Sequence, residues 1–168
     1  MRSCARAIRA CCRLDVSGCV CECAHTVEDE LNQVVDAAIE SIELVARTGQ
    51  EWLPIGIVLY RGPFVPASGP TSTMQRGPLG LVILDSGKLP TGVTYDDVER
   101  IAFDAVAALA TAGHLQAAVL CKRVVDTTGE RTAGMLWIEH AEGPTLRMFQ
   151  PYDRDAHTGA ITISDAPT

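Results

Sequence analysis

The amino-acid sequence predicts an α+β domain: two amphipathic helices packed on one antiparallel sheet of about five strands, in the order α-β-β-α-β-β-β. Three observations carry the prediction. Segments beginning at Thr26 and Thr94 repeat apolar residues at helical spacing. Two apolar runs lie between them, and residues 115–152 hold three more, separated by polar turns.

The first helix has its cap written before it. Thr26 stands three residues ahead of Asp29, the capping-box spacing, and Glu28, Asp29 and Glu30 occupy the positive end of the helix dipole. Val27, Leu31, Val34, Val35, Ala38, Ile42 and Val45 fall on one face, with Asp36, Glu40 and Glu43 elsewhere and Gly49 as the C-terminal cap. Residues 52–60 (WLPIGIVLY) read as a strand, with Pro54 near its start where a missing donor is tolerated. Residues 61–78 are rich in Pro, Gly, Ser and Thr and show neither period, so they read as a flexible loop with Phe64 and Val65 free to tuck back. Gly80–Leu84 is the second strand.

The second helix runs from its Thr94 cap, with Asp97 in the box position, to Gly113. Its stripe is Val98, Ile101, Ala102, Ala105, Val106 and Leu109, yet Ala107, Ala108, Ala110 and Ala112 make the other side small as well. A helix small on both faces accommodates either its own domain or a second partner. Ala117–Val125, Ala133–Ile138 and Thr145–Phe149 then form an antiparallel meander, broken at Asp126–Thr132 and at Glu142-Gly143-Pro144. A further short strand is available at Ala160–Ile163.

Composition narrows the functional classes. The 168 residues are 47% hydrophobic and 21% charged, the balance of a globular chain, and no apolar run approaches the roughly 20 residues that span a bilayer. A formal charge of −7 argues against nucleic acid as partner. Residues 1–24 read as a separate Cys/Arg-rich extension, with residues 25–168 as a single domain. Six of the seven cysteines fall in that extension, and Cys19, Cys21 and Cys23 with His25 form a candidate soft-metal set. Their alternate spacing is not that of a zinc knuckle. Val16-Ser-Gly-Cys19 resembles a bacterial lipobox, but Arg9, Arg13 and Asp15 interrupt the apolar stretch that should precede it.

No phosphate-binding glycine loop, nucleophile elbow or zinc helix is present, so no cofactor is expected. The candidate catalytic residues are His140, as a general base, with Asp153 or His157. Glu139 and His140 point to opposite faces of a strand, and Glu139 reads as the cross-strand partner of Arg147. Cys121 reads as a buried small hydrophobe.

The order of elements over about residues 26–152 resembles, as topology, the Roadblock/dynein-light-chain and profilin-like families. Pro54-Ile-Gly-Ile-Val-Leu, Ile138-Glu-His and Gln150-Pro-Tyr152 also resemble segments of small bacterial proteins without assigned activity. The first resemblance implies a noncatalytic module that dimerises through a helix or edge strand and binds other proteins. The expectation is thus a small acidic cytoplasmic interaction module, self-associating as a homodimer or held by a protein partner. The alternatives are an immunity-type inhibitor of a basic partner, and a small hydrolase or metal-dependent enzyme built on His140.

Overall fold

The computed structural model describes residues 26–48, 53–125, 132–155, 158 and 161–163. Helices α1 (Val27–Thr48) and α2 (Tyr95–Thr111) both start from Thr-x-x-Asp boxes. The Asp29 N–H donates to Thr26 Oγ1 at 3.1 Å and the Thr26 N–H donates to Asp29 at 3.2 Å. Thr94 and Asp97 repeat the pattern at 3.3 and 3.1 Å. Helix α2 stops at Gly113, which takes φ +75° and donates to the Ala110 carbonyl while His114 donates to Leu109. That pair of bonds satisfies carbonyls the helix leaves open. Gly49, Trp52 and residues 126–131 lie outside the described residues.

The strands are β1 (Ile55–Tyr60), β2 (Thr71–Arg76), β3 (Leu79–Leu84), β4 (Leu115–Val125), β5 (Thr132–His140), β6 (Leu146–Arg154) and β7 (Ile161–Ile163). They form one antiparallel sheet of seven strands in the order β2-β3-β1-β4-β5-β6-β7. The α+β class holds. The order is α-β-β-β-α-β-β-β-β, with seven strands where about five were expected from apolar runs.

One added strand corrects the reading of residues 61–78 as a flexible loop. Gly77-Pro78 is a two-residue hairpin loop joining Arg76 to its partner Leu79. Gly77 takes φ +61° and the proline ring fixes φ at the next residue, which suits the turn that matches strand twist. β2 is polar because it is an edge, so it carries no apolar alternation to read. The segment before it folds back as well. Tyr60 Oη donates to the Val65 carbonyl at 2.7 Å, Phe64 meets the Tyr60 ring edge-on, and the Ala67 N–H donates to Thr73 Oγ1 at 2.9 Å. The short β7 lies where the sequence offered a further strand, Ala160–Ile163.

The helices take opposite faces of the sheet. Val34, Ala38, Ile42 and Ala46 of α1 pack on Ile57, Val119, Leu136 and Ile138. Val98, Ala102, Val106 and Leu109 of α2 pack on Val58, Val82, Leu84, Ala118 and Leu120. β1 lies beneath both helices and is buried at all six positions. Its Gly56 is needed: a Cβ there would come within 2.8 Å of Val106.

Candidate binding groove

Of the sequence-derived site residues, the described pair His140 and Asp153 does not come together. His140 ends β5, and the β5–β6 register sets Ile138 opposite Leu146 and Thr132 opposite Tyr152. Asp153 therefore lies past the far end of β5, about 30 Å from His140 at ~3.3 Å per residue. His157, and the metal candidates Cys19, Cys21, Cys23 and His25, lie outside the described residues. Among the described residues no group of three or more His, Cys, Asp and Glu side chains stands at metal-binding distance.

His140 has a different occupation. Its side chain is fully buried on the α1 side of the sheet, with Nε2 2.7 Å from Glu30 Oε2 in the first turn of α1. The Glu142 N–H donates to Nδ1 at 3.0 Å. Since Nδ1 accepts, the ring proton sits on Nε2 and is donated to Glu30. Both nitrogens are thus engaged in tying α1 to the β5–β6 turn. Gly143 lies against the ring and against Val27 too closely to carry a Cβ. Cys121 is buried in the α1-side core, and desolvation pushes its thiol up to about 12, so it carries no thiolate for nucleophilic chemistry at neutral pH.

Glu139 points the other way, and here the register corrects the sequence. Arg147 stands opposite Trp137, not opposite Glu139. Its guanidinium lies over the indole, 4.3 Å from the ring centre. The indole N–H donates to Glu139 Oε1 at 2.9 Å. Trp137 thus separates the two charges and is fixed by both.

Around Trp137 the α2 side of the sheet is open. Helix α2 covers β3, β1 and β4, leaving β5 and β6 without a helix above them. Phe103 of α2, 42% exposed, meets Trp137 edge-on at 6.2 Å. Phe149, 40% exposed, lies on the neighbouring strand opposite Met135. Between α2 and the sheet is an apolar pocket of about 150 Å3. Its walls are Phe103, Val106, Ala107 and Ala110 on the helix and Leu115, Ala118, Leu120 and Trp137 on the strands, with Glu139 and Gln116 at the polar edge. The groove continues past Phe103 towards Lys122, which is paired with Glu99 at 2.6 Å.

The small flank of α2 therefore borders the pocket, in line with its alanine content. Phe103 and Trp137 were not singled out from the sequence. The available sign was Phe103 itself, a large aromatic outside the buried stripe of an otherwise alanine-rich flank. No family model matches the chain, nor does any curated protein or solved structure.

Proposed function

We propose that the chain is a noncatalytic protein-interaction module, and that it engages its partner through the α2–β5–β6 surface. The observation that carries this reading is the row Phe103, Trp137 and Phe149, part-exposed on one face and bordered by an apolar pocket. Aromatic residues in such positions are the usual anchors of protein interfaces. Its setting in this reading is the cytoplasm, with a second copy or a different protein as partner. No helix among the described residues is long and apolar enough to cross a membrane. The net charge of −7 favours a basic partner, which keeps the immunity-type variant within the same proposal.

The test compares wild type with the double variant Phe103→Ser, Phe149→Ser. Each is immobilised in native lysate, and eluted complexes are sized by light scattering. The wild type should retain one stoichiometric partner or form a homodimer, and the variant should lose it with an unchanged melting temperature. A monomer that retains nothing, or a variant that binds as wild type does, rejects the proposal.

A further inference from the structure

We infer that the pocket between α2 and β5 is a binding site for an aromatic ring carrying a cationic amine, with the ring seated against Trp137 and the ammonium at Glu139. This rests on the reading above only in using the same surface; it specifies the chemistry of the anchor.

The size comes first. The pocket is open on one side, and its volume of about 150 Å3 takes a benzene-sized ring. Filling such a space removes apolar wall from water without opening the core, because the hole exists before the ligand arrives. It exists because Ala107 and Ala110 stand where α2 faces the edge of the covered strands. Their methyl groups cannot reach β5. Nor is the wall soft. Trp137 is held by its own hydrogen bond, by Arg147 above it and by Phe103 at its edge, so a ring entering the pocket meets an aromatic surface already in place.

The charge comes next. Glu139 is the carboxylate among the pocket-lining residues, and Oε1 takes the indole N–H. No cation is ion-paired with Glu139 among the described residues. Arg147 is not part of the pocket wall. Gln116, the other polar group at the edge, accepts from Arg61 Nε at 2.8 Å. A ligand therefore meets apolar walls inside and, at the mouth, a carboxylate that accepts the indole N–H and has no ion-pair partner among the described residues. That complementarity selects an amine over a neutral or anionic isostere, and the acidity of the whole chain adds to it.

The experiment titrates the full chain with three probes of similar shape: phenethylammonium, toluene and 3-phenylpropionate. The indole N–H of Trp137, identified through Trp137→Phe, is followed by 1H–15N NMR. Phenethylammonium should give a saturable shift, with 3-phenylpropionate weaker by about tenfold and toluene between them. Glu139→Gln keeps the acceptor for the indole and should bring the three probes together. Ala107→Leu fills the pocket and should abolish the shifts at an unchanged melting temperature. Absence of any saturable shift in the wild type, or 3-phenylpropionate binding as tightly as the amine, overturns the inference. The outcome is separable from the capture test. Capture without probe binding leaves the docking surface and removes the ring site; ordered probe binding without capture leaves a small-ligand site and removes the protein partner.

Discussion

Strands β3 and β5 alternate in opposite senses. In β3 the residues facing α2, Gly80, Val82 and Leu84, are buried, and those facing α1, Leu79, Leu81 and Ile83, are only half-buried. In β5 the residues facing α1, Gly134, Leu136, Ile138 and His140, are buried, whereas Met135 and Trp137 on the α2 side are half-buried and Glu139 is exposed. The cause is one of width. Seven strands at ~4.8 Å spacing make a sheet about 30 Å across, and a helix is only about 10 Å in diameter. One helix per face leaves part of each face bare, and because α1 and α2 are offset the bare parts lie at opposite ends of the sheet. The face beneath α1 is filled by large branched side chains. Beneath α2, Val98, Val106 and Leu109 cover β3, β1 and β4, but the flank towards β5 is lined by Ala107 and Ala110 and remains partly open.

The largest expected effect comes from breaking the filled face. Ile42 is fully buried and lies against Gly134, where a Cβ would come within 2.5 Å of its Cδ1. Ile42→Ala should cost about 2–5 kcal/mol, the range for truncating a buried aliphatic side chain. Ala107→Leu on the open side should change stability by no more than about 0.5 kcal/mol, as surface substitutions do. Urea midpoints of the two variants check the contrast. Equal losses would mean that the two faces are equally packed.

His140 and Glu139 sharpen the same comparison within two adjacent residues. His140→Ala leaves the Glu30 carboxylate, 17% exposed, and the Glu142 N–H without their partner. Stranding such groups costs about 1–3 kcal/mol. Glu139→Ala, on the exposed side, should cost less than ~0.5 kcal/mol. A His140→Ala variant as stable as wild type, by denaturant titration, would remove the tie between α1 and the β5–β6 turn.

How much of this could be read from the sequence depends on where the determining interactions lie. Both helices were legible because their determinants are local: the Thr26 and Thr94 boxes and Gly113 act within a few residues of themselves. β2 was not legible because its pairing with β3 replaces apolar patterning as its source of order, and a polar edge strand looks like a loop. His140 was legible as a residue with a role, but the role rests on Glu30, 110 positions away in sequence. The same holds for the groove. Ala107 and Ala110 announced an uncovered flank, while Trp137, its other wall, comes from a strand whose neighbour had to be known first. Arg147 shows the limit at its finest, since moving its partner from Glu139 to Trp137 requires only a two-residue change of register.

The last effect concerns a feature that the two helices share. Thr94→Ala should cost about 1 kcal/mol through loss of the α2 cap, as Thr26→Ala should for α1. The α2 cap adds a pH dependence. The Asp97 carboxyl is held below the ordinary value of 3.8, first by the Thr94 hydroxyl, then by the Thr94 N–H and the charge of Arg100. A folded-state pKa below the unfolded one means that the unfolded chain binds the proton more readily. The resulting stability is present above pH 3.8 and is lost as pH falls through the lowered folded value. Thr94→Ala removes the largest cause, so the difference in stability between wild type and variant should be constant at neutral pH and shrink below about pH 4. Thermal melts of both proteins at a series of pH values measure it. A difference that persists unchanged into acid would show that Asp97 draws its low pKa from Arg100 rather than from the cap.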